Sequence, residues 1–244
     1  METRETKELT VGELVAKDFR KAEIFKKYGI DFCCGGKKSV EKVCREKGID
    51  LGKLEAELSR LDSSSVPPSQ NFDNWELDFL ADYIVNTHHR YILQSIPNLL
   101  AWAEKVARVH GDANPETKEI YKLFLLAVDE LNRHMMKEEQ VLFPYIRQMV
   151  ARARSGAKLD QPPFGSVENP VRMMEHEHDS VGEIFHTISG LSGNYNPPEY
   201  ACNTYRVLYS KLNEFEDDLH QHIHLENNVL FPKAIELERS ILRA

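Results

Sequence analysis

Two histidine–glutamate pairs stand at the same spacing in two copies of one short pattern. The segment from His134 to Pro144 reads HMMKEEQVLFP, and the segment from His222 to Pro232 reads HIHLENNVLFP. Each has His first, Glu fifth and Leu-Phe-Pro at its end. In a helix, residues i and i+4 lie on one face about one turn apart, so an imidazole and a carboxylate can reach one small volume. These ligand types suit iron or zinc, and a carboxylate can bridge two metal ions.

A single pair of this kind is most often a solvated pair on a helix surface. Two copies in one register are harder to explain that way, because the proline of each copy falls inside an apparently continuous helix. A proline there kinks the helix and costs roughly 3 kcal/mol. The repeated placement indicates a shared architectural role. It predicts that His134, Glu138, His222 and Glu226 bind metal.

The first long helix is expected to supply another histidine. A helix rises about 1.5 Å per residue, so folding the chain back at 111–114 brings His89 level with His134 and leaves His110 near the loop. His88 points about 100° away around the helix and cannot share the direction of its neighbour. The spacing therefore favours His89 as the ligand.

The third helix carries the run EHEH at 175–178. Apolar residues lie on the side of His178, among them Met174 and Val181, so His178 is favoured over His176 as the inward side chain. A surface run of Glu and His explains this segment equally well.

The fourth helix offers a rival register, His220 with His224. Alignment on Leu-Phe-Pro selects His222 with Glu226 instead. The rival pair is predicted to lie on a different, more polar and outward stripe of the helix.

The elements that must position these residues all read as helices. Three starts carry Asn-Pro, in which Asn caps the helix and Pro fits the first helical position. The predicted long helices run over roughly 74–110, 115–154, 170–191 and 197–241. Their mostly short connections predict an antiparallel four-helix bundle. No strand pattern competes, so the predicted fold class is all-α.

A small helical domain is predicted to precede the bundle. Residues 1–62 form it, 63–72 are a Ser/Pro-rich linker, and 73–244 form the bundle. A capping box of Thr10 with Glu13 begins a helix that Gly29 closes. A second short helix is expected from a cap at Ser39 to a stop at Gly48.

Between those helices the chain reads DFCCGG from Asp31 to Gly36. Adjacent cysteines are usually structural, because they are small and often buried. Here the two glycines leave the backbone open to close approach. The lysines at 37 and 38 and a following helix N-terminus favour a thiolate. Cys33 and Cys34 are therefore candidate functional residues, whereas the cysteines at 44 and 202 look structural.

The overall composition limits which classes of binding partner and which cellular location are expected. The chain has 244 residues and a formal net charge of -8, which argues against nucleic acid or an anionic membrane surface. No apolar run approaches the ~20 residues that span a bilayer, and the charged first residues show no secretory signal. Four cysteines are too few for a disulfide framework. A cytoplasmic protein is predicted.

Taken together, these residues resemble a known family. The repeated His-x-x-x-Glu-x-x-x-Leu-Phe-Pro pattern, the upstream His-His and the Glu-His of the third helix are similar to hemerythrin-like domains. The DFCCGG element marks a narrower group, the di-iron iron–sulfur cluster repair proteins (the repair-of-iron-centres family). The resemblance covers 8–60 and 74–241, and no ligand position departs from the pattern.

This resemblance implies a non-haem di-iron site with an oxo or hydroxo bridge. It implies that Glu138 and Glu226 are the bridging carboxylates. The histidine ligands that it implies are His89, His134, His178 and His222. The family pattern also has a histidine at His110. Because its height on the helix is far from the other ligands, His110 is expected to support the ligands from outside or to have another functional role, and not to bind metal directly.

The function implied is repair of iron–sulfur clusters damaged by nitric oxide or oxidants, with the di-iron centre as iron source or redox centre. Damaged iron–sulfur proteins are then the partners, and nitric oxide or oxygen the small ligands. One alternative is a di-iron nitric oxide reductase with Cys33 and Cys34 in electron supply, and another is an oxygen or nitric oxide sensor. The small domain has a thin core, so a homodimer through it is a candidate assembly.

Overall fold

The computed structural model describes residues 9–62 and 66–243. Residues 63–65 of the predicted linker and the first eight residues lie outside the described part of the chain. Within that part the regular structure is helical, and the only strand-like pairing is one isolated bridge between Thr10 and Ser39. The predicted all-α fold class is confirmed.

The described chain forms eleven α-helices and three π-helical turns. The helices are α1 (Val11–Lys17), α2 (Lys21–Lys27), α3 (Val40–Lys47), α4 (Leu51–Asp62), α5 (Leu77–Ile84), α6 (Arg90–His110), α7 (Glu116–Lys137), α8 (Phe143–Ser155), α9 (Glu168–Leu191), α10 (Asn203–Leu225) and α11 (Phe231–Arg243). The π turns are π1 (Val85–His89), π2 (Glu138–Leu142) and π3 (Glu226–Leu230). Each π turn joins two α-helices directly, so three of the four predicted long helices are continuous runs containing one such turn.

The chain divides into two compact units. One comprises Met1–Ala81, Met149–Leu159 and His220–Ala244, and the other comprises Asp82–Gln148 and Asp160–Leu219. Within the second unit, α7 packs against α6 and α9. Rings from three of its helices form an aromatic core: the centroid of Phe124 lies 6.4 Å from Phe185 and 5.8 Å from Phe215.

The Asn-Pro sequences do not cap the helices as predicted. The amide of Asn114 donates to the Tyr200 hydroxyl, and the amide of Asn169 donates to the Phe164 carbonyl. The fourth long helix begins at Asn203, several residues after the predicted start at 197. A second proline, Pro198, contributes to the delay, because the residue before a proline, here Pro197, is disfavoured in the α region.

The small N-terminal helices follow their sequence signals closely. Thr10 and Glu13 form the predicted capping box, and Gly29 takes a left-handed conformation with φ of 63° after α2. The predicted single helix is instead two, because Asp18 is extended and its carboxylate binds the Arg20 guanidinium at 2.7 Å. Ser39 caps α3, which ends at the left-handed Gly48 as predicted.

The two Leu-Phe-Pro segments interrupt their helices through π turns. The Phe143 N–H donates to the Glu138 carbonyl, and the Phe231 N–H donates to the Glu226 carbonyl, both five residues back. The proline follows directly, so its missing N–H falls where the hydrogen-bond register changes. Such single π turns are frequent at functional sites, and each of these begins at a predicted metal-binding glutamate.

Candidate metal centre

Four predicted ligands converge in the second unit, around the fully buried carboxylate of Glu138. Nε2 of His89 and Nε2 of His134 each lie 3.3 Å from its Oε2 atom. Nε2 of His178 lies 2.9 Å from Nε2 of His134. The ligand atoms of His134, Glu138 and His178 are all within 4.8 Å of one another. Residues from π1, α7, π2 and α9 therefore meet at one point.

The chemistry of this set fits a metal cation. Neutral imidazole nitrogens and a carboxylate are donors for iron or zinc. A buried carboxylate needs a compensating positive charge or hydrogen bonds. Two imidazole nitrogens that face each other at 2.9 Å need a proton or a cation between them, because two lone pairs repel. A cation held by these donors satisfies both requirements.

Two further carboxylates orient the histidines from behind. Nδ1 of His89 lies 2.7 Å from Oε1 of Glu139, and Nδ1 of His134 lies 3.0 Å from Oε2 of Glu177. Metal-binding histidines commonly donate their second N–H to a carboxylate, which fixes the ring and its tautomer. Each contact leaves Nε2 directed at Glu138.

Glu177 is held as a carboxylate. The hydrogen bond from His134, with a further contribution from the ion pair with Lys137, lowers the pKa of Glu177 to about 2. Glu139 and Glu177 were not predicted from the sequence to be functional. The sequence feature that could have indicated them is their position, because each is adjacent in sequence to a predicted ligand.

The second copy of the repeat lies in the first unit and has the same local geometry. Nε2 of His222 lies 3.0 Å from Oε1 of Glu226, and both residues are fully buried. Glu226 opens π3 as Glu138 opens π2. Both pairs are thus inward, which a solvated surface pair would not be.

The remaining histidines of the second unit have other partners. Nδ1 of His88 lies 3.0 Å from the Asp218 carboxylate. His110 lies at the end of α6, where its Nε2 is 3.3 Å from Sγ of Cys202, in agreement with the height argument. His176 is exposed whereas His178 is buried, so the choice of the inward residue on α9 agrees with the structure.

The prediction for the rival register is wrong at His224. Its side chain is fully buried, with ring centroids 5.7 Å from Phe19 and 5.8 Å from Phe32. Burial lowers the pKa of His224 to about 4. Its Nδ1 accepts a hydrogen bond from the Asn228 amide at 3.1 Å. Within the first unit, the face predicted to be outward is covered by Phe19, in the turn between α1 and α2, and by Phe32 of the DFCCGG segment.

The DFCCGG element folds around the carboxylate of Asp31. Oδ1 accepts the Cys33 N–H at 2.9 Å, and Oδ2 accepts the Gly35 N–H at 2.8 Å. Sγ of Cys33 lies 3.2 Å from Oδ1 of Asp31 and 3.9 Å from Sγ of Cys34. Three donor groups therefore share one turn of chain, and their ligand atoms lie within 4.8 Å of one another.

The expected thiolate is not favoured at Cys33. Contact with Cys34, burial and the Asp31 carboxylate all raise the pKa of the Cys33 thiol well above its usual range. One of the two lysines expected to stabilise a thiolate, Lys38, forms an ion pair with Glu46 at 2.9 Å. Cys33 is buried and Cys34 is partly exposed, and both are free thiols.

Asn228 holds this element from the last long helix. Its Nδ2 lies 3.2 Å from the Phe32 carbonyl and 3.3 Å from the Cys33 carbonyl. A Cβ added to Gly36 would lie 2.9 Å from its Oδ1, and one added to Gly12 would collide with the same amide. Both glycines thus allow the close approach. The sequence analysis missed Asn228, which stands in the repeat where the first copy has an exposed Gln140.

Comparison with known proteins agrees with this arrangement. Residues 80–234 match the Hemerythrin HHE cation binding domain, and residues 7–62 match a Domain of Unknown function (DUF542). The chain belongs to the hemerythrin HHE family. No helix in the described part of the chain is long and apolar enough to cross a membrane.

Its relatives carry a more particular name. A protein of Musicola paradisiaca (strain Ech703), named iron-sulfur cluster repair protein YtfE, is 38% identical over 235 residues, which are 95% of this chain and 98% of the relative. The protein of the same name from Enterobacter sp. (strain 638) is 37% identical over 225 residues, or 92% of this chain and 96% of the relative. The resemblance inferred from the sequence motifs is confirmed.

Proposed function

We propose that this protein repairs damaged iron–sulfur clusters and that its histidine–glutamate site holds the iron that it supplies. The observation that carries the proposal is the meeting of His89, His134 and His178 at the buried carboxylate of Glu138. The name shared by its relatives, iron-sulfur cluster repair protein, gives the task.

The proposed site has six ligands and two non-haem iron ions. The histidines and Glu138 of the second unit form one part, and His222 with Glu226 forms the other. Support for joining them is the repeat itself, because both pairs are buried and both glutamates open a π turn. Iron bound at such a site would be redox-active and could exchange to other ligands. Glu138 and Glu226 are proposed as the bridging carboxylates.

The chain's own residues have two tasks in this proposal. Glu139 and Glu177 hold the rings of His89 and His134 so that each Nε2 faces inward. The helices exclude water from the donors, since the six side chains are at most 3% exposed. Imidazole and carboxylate donors bind iron(II) less tightly than later divalent metals, which suits a site that must release its metal.

We further propose a division of labour along the chain. Residues 1–62 form a domain that contacts the damaged protein or transfers iron, 63–72 form the linker, and 73–244 form the iron-holding bundle. The four free cysteines suit a reducing compartment, which supports the cytoplasm as the site of action. The nitric oxide reductase and sensor alternatives are not favoured, because the relatives' names and the Cys-Cys element both point to repair.

The test uses a [4Fe–4S] enzyme that has been inactivated by nitric oxide. Iron-loaded protein is expected to restore its activity, while a parallel assay with nitric oxide and a reductant shows no catalytic nitric oxide consumption. Glu138→Gln should abolish recovery, whereas Glu119→Gln, an exposed glutamate on α7 that pairs with Lys122, should not. Recovery that is equal with metal-free protein, or rapid nitric oxide turnover without recovery, would contradict the proposal.

A further inference from the structure

We propose that Asp31, Cys33 and Cys34 form a second cation site, which takes one soft or borderline divalent metal ion. This inference deepens the proposed function, because such a site would be a docking point for iron in transit. The cation site can be tested independently of the repair function, since metal binding can be measured whether or not repair occurs. Nothing in the hemerythrin-like part of the chain contributes a ligand to it.

The donor atoms of the loop are spaced almost as a bound ion requires. A tetrahedral ion with thiolates at about 2.3 Å and a carboxylate oxygen at about 2.1 Å requires sulfur–sulfur separations of about 3.8 Å and sulfur–oxygen separations of about 3.6 Å. In the loop, Sγ of Cys33 lies 3.9 Å from Sγ of Cys34 and 3.2 Å from Oδ1 of Asp31. Both separations thus lie within about 0.4 Å of those that the ion requires, and the ligand atoms of all three residues lie within 4.8 Å of one another.

Hydrogen bonds already hold the loop in that geometry. The Asp31 carboxylate accepts the N–H groups of Cys33 and Gly35. The carbonyls of Phe32 and Cys33 are held by the Asn228 amide from outside the loop. A ligand set that is ordered in advance loses less conformational entropy on binding.

Solvent and ions can reach two of the three donor residues. Asp31 is exposed and Cys34 is partly exposed, whereas Cys33 is buried. Three protein donors leave the fourth position of a tetrahedral ion open to water or to another ligand, as in catalytic zinc sites and unlike closed structural sites. Two thiols and one carboxylate favour soft or borderline ions over Mg²⁺ or Ca²⁺. An open, thiolate-rich site at the surface suits transient binding and exchange.

Binding balances as a proton exchange. Cys33 and Cys34 each lose a thiol proton, two metal–sulfur bonds form, and the Asp31 carboxylate supplies the third donor. One divalent ion therefore displaces two protons into solution, and the metal keeps its oxidation state. No reductant or oxidant is required.

The experiment titrates Cd²⁺ into full-length protein whose bundle has first been loaded with iron. We expect one equivalent to give a sulfur-to-cadmium charge-transfer band, with about two protons released in weakly buffered solution at neutral pH. Cys33→Ser and Cys34→Ser should each remove most of the band. Asp31→Asn should weaken binding by at least tenfold, since even outer-shell carboxylates contribute about 10–100-fold.

Two other cysteines give matched controls. Cys202 has a potential second donor, because its Sγ is 3.3 Å from Nε2 of His110, and Cys44 is a buried thiol of the same unit as the loop. Cys202→Ser and Cys44→Ser should leave the band unchanged. A band that survives Cys33→Ser and Cys34→Ser, or that is lost in Cys202→Ser, would overturn the assignment, as would the absence of a band in the wild type.

The outcomes separate this site from the repair function. If Cd²⁺ does not bind the loop but iron-loaded protein still restores the damaged enzyme, the second site is refuted and the proposed function stands. If Cd²⁺ binds with the expected stoichiometry but no recovery occurs, the site stands and the proposed function is refuted. Iron content, measured before and after each titration, shows whether the bundle iron was displaced.

Discussion

The Asn228 amide donates to the backbone carbonyl of Cys33 at 3.3 Å, and these two residues are 195 positions apart in the chain. Asn228 follows the predicted ligand Glu226 by two residues and lies within π3. Through this contact a helix that carries metal ligands also positions the Cys-Cys loop. The same Nδ2 also lies 3.2 Å from the Phe32 carbonyl and 3.1 Å from Nδ1 of His224, so its two hydrogens are shared among three acceptors and one side chain contacts all three groups.

Removing this amide should loosen the loop. We expect Asn228→Ala to lower the free energy of unfolding by about 1–3 kcal/mol, because buried carbonyls lose their donor. The buried thiol of Cys33 should then react faster with an alkylating reagent. Gln140→Ala, the equivalent exposed position of the first repeat, is the control and should change neither quantity. An alkylation rate for Asn228→Ala equal to that of the wild type would contradict this role.

Features that depend on a few neighbouring residues could be predicted from the sequence. The capping box at Thr10 and the left-handed Gly48 depend on a few neighbouring residues, and both were predicted correctly. His178 was favoured because its apolar neighbours mark one helix face, and it is buried.

The errors arose where distant residues decide the outcome. The face of His224 looked polar in the sequence, because nothing local shows that Phe19 and Phe32 cover it. The role of Asn228 is likewise invisible without the fold. The Asn114 cap failed for the same reason, since its side chain is taken by Tyr200 from another part of the chain.

Loss of the central carboxylate should remove metal-dependent stability. A ligand that binds only the folded state stabilises it by about 2.7 kcal/mol at a hundredfold excess over its Kd. We expect wild-type protein to gain about this amount from iron(II), and Glu138→Gln to gain little. Metal content by elemental analysis and thermal unfolding with and without a chelator measure both effects. Equal metal content in Glu138→Gln and in the control Glu119→Gln would show that Glu138 is not a ligand.

The carboxylate behind His134 should tune metal affinity without being a ligand. Glu177 accepts from Nδ1 of His134 at 3.0 Å, and such outer partners contribute about 10–100-fold to affinity. We expect Glu177→Gln to raise the Kd for iron(II) within that range while the number of ions bound stays the same. Glu183→Gln, an exposed glutamate on the same helix, is the control. A change in stoichiometry would mean that Glu177 itself binds metal.

The ion pair of Arg154 with Asp78 should give a small pH dependence of stability. Hydrogen bonding from Arg154 lowers the pKa of the Asp78 carboxyl below its usual range. A carboxyl whose pKa is lower in the folded state stabilises the protein above its unfolded pKa, and this stabilisation is lost as the pH falls through the folded pKa. The Asp78 side chain is 28% exposed, so screening limits the contribution to at most about 1 kcal/mol.

Arg154→Gln should therefore reduce stability at neutral pH and have less effect in acid. Urea unfolding at about pH 7 and about pH 3 measures the difference. Arg133→Gln, which removes a solvent-exposed pair with Asp129, is the comparison and should show a smaller change between the two pH values. An equal loss for Arg154→Gln at both pH values would mean that packing, and not charge, explains its effect.

We expect the prolines of the repeat to maintain the geometry of the metal site while lowering the stability of the helices. Pro144 cannot donate a backbone hydrogen bond, and it stands just after the π turn in which Phe143 bonds to the Glu138 carbonyl. Pro144→Ala supplies a donor that allows regular α-helix across Glu138–Leu142. We expect the metal-free variant to be as stable as the wild type or more stable, by less than the about 3 kcal/mol of the intrinsic propensity difference.

The same change should weaken iron binding. A π turn accommodates one extra residue, so converting it to α-helix rotates the residues on one side of the turn by about 100° relative to those on the other side. That rotation moves Glu138 out of register with His134 or moves the residues that follow. Iron affinity and metal-free stability, measured on one preparation, are expected to change in opposite directions. Pro97→Ala, within α6 and away from a π turn, should affect stability alone. If Pro144→Ala kept full iron affinity, the π turn would be a consequence of the metal ligands and not of the proline.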